Sequence, residues 1–505
     1  MRTRLTVLLL VAISLAACSA GITPTNSGYV QLVTPTTSPT PPAPASPTAS
    51  QTEQGTPTSS PSNDTTEKIS LTQYTLDVNL NYDRHLAVIH EEIIYINQTE
   101  DILNNLVLII EPLNYPNVFQ LQKIAWENGQ QIENYVLDGS LMRIPLGDPL
   151  QIGEKVQLRL EYELALPSPV QSPSTRPVPF GYSHQQTNLV DWYPFVAPYL
   201  TGKGWIAHPP FYYGEHLASE SSDYDISLLV ESSYPDLVIA ASALDAGDET
   251  HHHYHLEAAR SFAFSISHEY EIFTSQVGGV TVFSYAFPAH SQAGEKVLQT
   301  TMEALTLFNE LFGPYPHRSL SVVEADFLDG MEYDGMFFLS NGFYNLYTGT
   351  ESEYLVAIAV HETAHQWWYG LIGNDQALEP WLDEALCTYS ERLFYEKKHP
   401  EALDWWWAYR VNYYEPSGWV NTTIYNPEGE SQAYSYYRNA VYLNGAKFLE
   451  DLRKLIGDQA FFDFIIDYAG QYRQKIVNAQ DFFFTLKQHT QQDLSVLIAQ
   501  YFKLP

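Results

Sequence analysis

The chain has 505 residues, of which 45% are hydrophobic and 14% aromatic, so it carries enough apolar side chains to build large buried cores. Its 25 Lys and Arg residues stand against 59 Asp and Glu residues, which gives a formal charge of −34 at pH 7. Because such a polyanion repels phosphate groups, the charge argues against a nucleic acid partner.

The first residues have the pattern of an export signal. Arg2 and Arg4 precede an apolar run at residues 5–15, which is too short to span a bilayer. The run ends in Leu-Ala-Ala-Cys, which resembles a bacterial lipobox with Cys18 as the lipid-modified first residue of the mature protein. We therefore expect a lipoprotein signal peptide at residues 1–17 and an extracytoplasmic protein that is lipid-anchored to a bacterial membrane through Cys18. The alternative is an ordinary signal peptide with a coincidental cysteine.

A segment rich in Pro, Ser and Thr follows the signal. Residues 34–68 contain no Val, Ile, Leu, Met, Phe, Trp or Tyr, so this segment cannot build a core. An extended Pro-rich chain advances about 3.1 Å per residue. We therefore predict a tether over residues 18–68 that holds the folded part away from the membrane.

The remainder of the chain shows two successive patterns. From residue 69, apolar and polar residues alternate in short runs such as 74–80, which is typical of antiparallel sheets. At residues 292–312 the apolar spacing becomes that of a helix, and helical patterns continue to the C-terminus. The sequence thus predicts a multidomain α+β protein, with a β domain at residues 69–276 and a mainly helical domain at residues 277–505.

A metal-binding motif lies in the helical part. Residues 361–365 read His-Glu-Thr-Ala-His, and two histidines four residues apart lie on one face of a helix, where both can bind one zinc ion. Glu362 then flanks the metal-bound water. Glu384, which follows His365 after eighteen residues, completes the three ligands of a catalytic zinc site. A buried polar cluster remains the alternative for the pentapeptide taken alone.

These motifs resemble those of the gluzincin metallopeptidases, specifically the aminopeptidase N family that includes leukotriene hydrolase. The resemblance implies one Zn²⁺ per chain, bound by His361, His365 and Glu384, and a catalytic base at Glu362. The family's tyrosine that stabilises the oxyanion falls on Tyr442, within a segment that reads Val-Tyr-Leu-Asn-Gly-Ala.

A further family motif, Gly-x-Met-Glu-Asn, holds the free amine of the substrate. It is similar to the segment around Gly330, Met331 and Glu332, although Tyr333 replaces the asparagine and Asp329 precedes Gly330 where the family usually has Gly-Ala. The resemblance therefore implies that Glu332 binds the substrate's α-ammonium group, with Gly330 and Met331 beside it.

The resemblance covers about residues 69–505 and implies an N-terminal β-saddle domain followed by a thermolysin-like catalytic domain. It implies a zinc-dependent aminopeptidase that acts on peptides with a free N-terminus. We expect a short form of the family without the C-terminal helical-repeat domain, which leaves the access of larger substrates open. Two alternatives remain, a zinc endopeptidase with an open cleft and a non-catalytic surface binding protein with structural zinc. The preferred N-terminal residue and the oligomeric state are not predicted.

Other motifs have plainer interpretations. The histidines at 251–255 are interpreted as part of a polar hairpin rather than a weak metal site. Cys387 is interpreted as a small buried residue rather than a fourth ligand. Residues 202–207 fit a dinucleotide-binding fingerprint, but the prolines that follow exclude a helix there and predict a loop. The three tryptophans at 405–407 are assigned to the core by default, with a substrate cleft as the alternative.

Overall fold

The computed structural model describes residues 71–168, 178–327, 329–425 and 433–504 of the chain. The signal peptide, the lipidation site Cys18 and the tether lie outside these residues, so their assignments stay predictions. Within the described ranges, no helix is both long enough and apolar enough to cross a membrane.

Strands make up most of the regular structure up to residue 267. They are β1 (Thr72–Asn81), β2 (Leu86–Ile96), β3 (Leu103–Ile109), β4 (Phe119–Trp126), β5 (Val136–Asp138), β6 (Leu141–Leu150), β7 (Lys155–Ala165), β8 (Gly181–Tyr182), β9 (Thr187–Leu189), β10 (Phe195–Val196), β11 (Tyr199–Leu200), β12 (Gly204–Trp205), β13 (Ser222–Glu231), β14 (Val238–Ala241), β15 (His251–Ala259) and β16 (Phe264–Ser267). Six of them form one sheet in the order β15-β13-β1-β2-β7-β4. Two four-stranded sheets have the orders β10-β3-β6-β5 and β14-β16-β9-β8.

The alternating sequence explains how these strands are placed. In β1, Leu76, Val78 and Leu80 are at most 2% exposed, whereas the residues between them face solvent. Since side chains alternate between the two faces of a strand, this pattern buries one face of the sheet and leaves the other in water. The predicted loop at 202–207 is a short hairpin, in which β11 and β12 pair antiparallel.

The His-rich segment forms β15, an edge strand of the six-stranded sheet that follows a tight turn. His253 Nε2 lies 3.1 Å from Asp225 Oδ1, and His252 Nδ1 lies 2.6 Å from Asp245 Oδ2. Within the described part of the chain, these histidines do not join a group of three side chains able to share a metal ion. Their contacts therefore accord with a polar hairpin.

A five-stranded sheet separates the two cores of the protein. Its strands are β17 (Glu271–Val277), β18 (Val280–Ala286), β19 (Ser319–Ala325), β20 (Gly330–Tyr333) and β21 (Met336–Ser340), in the order β17-β18-β19-β21-β20. Val323 packs into the core of the N-terminal strands and Val322 into the core of the helices. The predicted domain boundary at residue 277 thus falls at the end of β17, and it stays a prediction.

Helices cover the other face of this sheet. They are α1 (Ser291–Phe312), α2 (Asn341–Leu346), α3 (Tyr354–Ala364), α4 (Trp381–Lys398), α5 (Leu403–Trp405), α6 (Ala433–Arg438), α7 (Gly445–Ile456), α8 (Asp458–Gln471), α9 (Ala479–His489) and α10 (Ser495–Tyr501). Two π-helical segments, Trp406–Val411 and Asn439–Asn444, lie near the cleft, and β22 (Gly373–Asn374) pairs parallel to β23 (Ile476–Val477). The helix predicted at 292–312 is confirmed as α1, and it ends at Gly313 with φ +96°.

Arg260 connects the N-terminal strands to the helical part. Its guanidinium is buried and donates to three distant carbonyl oxygens, from Nε to Tyr369 O at 2.6 Å, from Nη1 to Ser219 O at 2.6 Å and from Nη2 to Lys475 O at 2.9 Å. Charge-assisted hydrogen bonds to neutral carbonyls satisfy the buried cation. The backbone at Tyr369, in the loop after α3, is therefore held by the same guanidinium that binds the backbone at Ser219 and at Lys475.

Candidate active site

Helix α3 carries the two histidines in a buried position. All residues from Leu355 to Ala364 are buried, because the helix lies between α1, α4 and the five-stranded sheet. His361 lies in its last turn and His365 follows at the C-terminal cap, where its N–H donates to His361 O at 3.2 Å. The spacing of four residues places both imidazoles on the same side of the helix.

Glu384 of α4 meets these histidines across the cleft. Its Oε2 lies 3.0 Å from His361 Nε2 and 3.6 Å from His365 Nε2, and all three side chains are buried. The ligand atoms of a tetrahedral zinc site with bonds of 2.0–2.1 Å lie about 3.3 Å apart. The three side chains therefore fit a zinc ion that keeps a fourth position for water or substrate.

Each histidine is oriented through its second ring nitrogen. His361 Nδ1 lies 2.9 Å from Glu391 Oε1, and His365 Nδ1 lies 3.0 Å from Trp368 O. Because a carboxylate and a carbonyl only accept hydrogen bonds, both Nδ1 atoms carry the proton. The Nε2 lone pairs are thus directed at Glu384 and at the metal position.

The carboxylate of Glu391 is itself held by charged and polar donors. Arg410 donates to both of its oxygens, from Nη2 at 2.8 Å and from Nε at 2.9 Å, and Trp406 Nε1 donates at 2.8 Å. Glu391 is fully buried, so Arg410 supplies the counter-charge that it needs. Sequence reasoning missed this group, although Glu391 lies two helical turns after Glu384 on the same face of α4.

Glu362 points into the cleft rather than joining the ligand set. Its Oε2 is buried and has no hydrogen-bond partner among the described residues. Burial raises the pKa of Glu362 to about 8, because the charged form loses its hydration. Ligand atoms of Glu362, Glu332 and His365 also lie within 4.8 Å of one another, so two carboxyl groups stand beside one histidine of the ligand set.

Strand β20 brings Gly330, Met331 and Glu332 to the edge of the five-stranded sheet beside Glu362. A Cβ atom at Gly330 would lie 2.1 Å from Glu362 Oε1, so only glycine leaves room for the carboxylate at this position. Glu332 is 3% exposed and accepts a hydrogen bond from Gln376 Nε2 at 3.1 Å. Tyr333 stands where the family motif has asparagine, and its hydroxyl donates to Asp191 Oδ2 at 3.3 Å, on the side of the N-terminal strands.

Tyr442 lies at the ligand set. It belongs to the π-helical segment Asn439–Asn444, its hydroxyl donates to Glu384 Oε1, and its ring stacks on His361 at 5.9 Å between centroids.

Cys387 is fully buried, and burial raises the pKa of its thiol. This environment accords with the predicted small core residue.

One cavity of about 720 Å³ contains the ligands, Glu362, Glu332 and Tyr442. Glu215, from the loop before β13, also lines it beside Glu332. No motif in the sequence indicated Glu215, because its place in the cavity depends on the packing of the N-terminal strands on the five-stranded sheet. Trp406 lies in the core, as predicted. Trp405 lines a neighbouring groove.

Residues 297–501 match the model of the peptidase family M1 domain. Among curated proteins, endoplasmic reticulum aminopeptidase 1 of Mus musculus is 26% identical over 234 residues, which cover 43% of this chain and 25% of that protein. Aminopeptidase M1-B of Oryza sativa subsp. japonica is 25% identical over 243 residues, which cover 45% of this chain and 27% of that protein. The match therefore spans about a quarter of each relative's length.

Among solved structures, the M1 zinc metallopeptidase from Deinococcus radiodurans is similar with a TM-score of 0.57 and 17% identity. The alignment covers 86% of this chain and 95% of that chain. At this identity the likeness concerns the fold, and it confirms the predicted α+β class with an N-terminal β region and a C-terminal helical region.

We predict that Glu391→Gln weakens zinc binding by about 10- to 100-fold, because His361 loses its charged acceptor and Arg410 its counter-ion. The measurement is a titration against a chromogenic zinc chelator. Glu396→Gln is the matched control, since Glu396 lies on the same helix but pairs with Arg453 away from the ligands. Equal zinc affinity of the Glu391 variant and the wild type would contradict the orienting role.

Proposed function

We propose that this chain, which carries a peptidase family M1 domain, is a zinc-dependent aminopeptidase that removes the N-terminal residue of peptides. The observation that carries the proposal is that Glu332 lies in the same cavity as the three-ligand set and Glu362. Glu332 offers a carboxylate oxygen within 4.8 Å of a ligand nitrogen of His365, so an amine bound there holds the first peptide bond of the substrate next to the ligand set.

The residues divide the chemistry among them. His361, His365 and Glu384 would hold a zinc ion, which would supply a Lewis acid and lower the pKa of a bound water to about 7. Glu362, with a buried and unpartnered oxygen, accepts the proton of the attacking water and passes it to the leaving amine. The hydroxyl of Tyr442 provides a donor for the negative charge that develops on the scissile carbonyl oxygen.

The amine end of the cavity is acidic. Glu332 and Glu215 both line it, and an ammonium group between carboxylates forms charge-assisted hydrogen bonds. The comparisons support substrates of this kind, because a variant of the Deinococcus radiodurans M1 zinc metallopeptidase was solved bound to a Tyr-Ser-Ala substrate, and a variant of a two-domain M1 zinc metallopeptidase was solved bound to L-arginine. Both molecules carry a free α-amine.

We predict that Glu362→Gln retains zinc and loses turnover by about 10²- to 10⁴-fold, because the general base is removed while the ligands stay in place. Elemental analysis measures the zinc, and an unblocked aminoacyl chromogenic substrate measures turnover. Glu310→Gln, an exposed change on α1, is the control and should retain wild-type activity. Near-normal turnover in the Glu362 variant would remove this residue from its role.

We predict that the wild type hydrolyses a free-amine peptide and leaves the N-acetylated peptide intact. Glu332→Ala should lose transition-state stabilisation of about 2 to 5 kcal/mol on the free-amine peptide, because the ammonium group loses its buried partner. Zinc content should stay unchanged. The measurement is the ratio of kcat/KM for the two peptides. Equal cleavage of both by the wild type would replace the aminopeptidase by the endopeptidase alternative.

We propose further that the protein acts outside the cytoplasm, anchored to a bacterial membrane by a lipid on Cys18. The support is the sequence pattern, in which a basic start, a short apolar run and Leu-Ala-Ala-Cys precede a segment without core residues. Such an anchor brings the peptidase to peptides that reach the cell surface.

We predict that Cys18→Ser abolishes lipidation and moves the protein from the membrane fraction to the soluble fraction. The physical reason is that a single acylated cysteine supplies the membrane affinity of such an anchor. The measurement is fractionation with labelling by a fatty acid analogue, and Cys387→Ser serves as the control cysteine. Membrane retention of the Cys18 variant equal to that of the wild type would contradict the anchor.

A further inference from the structure

An aromatic groove continues from the zinc cavity at the N-terminal end of α3. It is an open groove with about 790 Å³ of empty space, part of which is solvent, and its apolar walls are Phe343, Leu346, Tyr354, Trp405, Tyr409 and Tyr413. Phe343 and Tyr354 line both the groove and the cavity that holds the metal ligands. The two spaces therefore adjoin each other at these two side chains.

The walls of the groove are exposed but well supported. Leu346 is 77% exposed, Tyr409 56% and Tyr413 71%, which is unusual for neighbouring large apolar side chains. Tyr354 contacts the edge of the Trp405 ring at 5.8 Å between centroids, and its hydroxyl donates to Tyr409 O at 3.0 Å. These contacts hold the rings of Tyr354 and Trp405 and the backbone at Tyr409 in place.

The groove and the amine site lie at opposite ends of the cleft. Tyr354, Ile358, His361 and His365 share one face of α3, at positions i, i+4, i+7 and i+11, and all four line the cavity. Glu332 lies at the His365 end, within 4.8 Å of that histidine. Tyr354 starts α3 seven residues before His361, about 10 Å along the helix axis. The metal position thus lies between the two.

We propose that this groove binds the third and fourth residues of the peptide substrate and selects apolar or aromatic side chains there. The proposal rests on the aminopeptidase function, which fixes the amine at Glu332 and directs the leaving part of the peptide toward Tyr354. An extended peptide advances about 3.3 Å per residue, so about 10 Å corresponds to three residues. The carboxylate of Glu353, which also lines the groove, disfavours acidic residues at these positions.

The selectivity has a simple physical origin. Burial of apolar side chains against the aromatic walls removes them from water, which lowers the free energy of the complex. The groove contacts residues that do not react, so it stabilises the bound substrate and the transition state alike. Its effect is expected in Kd and KM rather than in kcat.

Two pentapeptide amides test the proposal, Leu-Gly-Phe-Phe-Gly-amide and Leu-Gly-Ser-Ser-Gly-amide. They share the free amine and the bond to be cleaved, and they differ at the third and fourth residues alone. Their dissociation constants are measured by calorimetry with zinc-loaded Glu362→Gln, so that binding is read without turnover. We expect the Phe peptide to bind about 10-fold more tightly, which corresponds to about 1.4 kcal/mol.

The double substitution Tyr409→Ser with Tyr413→Ser, in the same Glu362→Gln background, should bring this ratio close to 1. Both side chains are more than half exposed, so their truncation leaves the core intact. Leu346→Ser is a second, independent variant of the groove and should lower the ratio as well. Phe484→Ala is the control, since Phe484 is 59% exposed on α9 and lines none of these spaces.

The outcomes separate this inference from the proposed function. Equal dissociation constants for the two peptides, or a ratio that survives both groove variants, would overturn the inference even if the wild type cleaves the Leu-Gly bond. A wild type that cleaves neither peptide, with the expected binding ratio intact, would overturn the aminopeptidase function and leave the groove as a binding site for apolar peptide segments.

Discussion

The ion pair between Glu391 and Arg410 is the interaction on which the rest of the site depends. The carboxylate orients His361, and its counter-ion lies in the π-helical segment that also presents Tyr409 to the groove. Loss of one partner would leave a buried charge uncompensated, at a cost of about 3–5 kcal/mol. The direction of a metal ligand and the position of a substrate wall therefore depend on the same two side chains.

The sequence predicts those parts of the site whose spacing is set by regular structure. His361 and His365 follow from helix periodicity, and the strands of the N-terminal region follow from alternation, as Leu76 and Val78 show. The role of Tyr442 came from family resemblance, since nothing in its local pattern indicates an active site. The change of period near residue 277 marks a change of structure, but β17 and β18 pair across it in one sheet.

Other parts depend on contacts between distant segments, and no local pattern predicts them. Arg410 lies nineteen residues after Glu391, beyond the end of α4, and belongs to the π-helical segment Trp406–Val411. Glu215 reaches the cavity because the N-terminal strands pack on the five-stranded sheet. The aromatic groove joins two segments separated by about fifty residues, and its exposed tyrosines are, in sequence, indistinguishable from ordinary surface residues.

The hydrogen bonds of Arg260 join backbone segments that lie far apart in the chain. The guanidinium gathers the backbone next to α3 together with Ser219 and Lys475, which are separated by more than half of the chain. Contacts of such long range form late, because closing large loops is entropically unfavourable until the whole chain is present. During synthesis, the backbone that follows the metal-binding helix therefore lacks one of these shared hydrogen bonds until the segment around Lys475 has emerged.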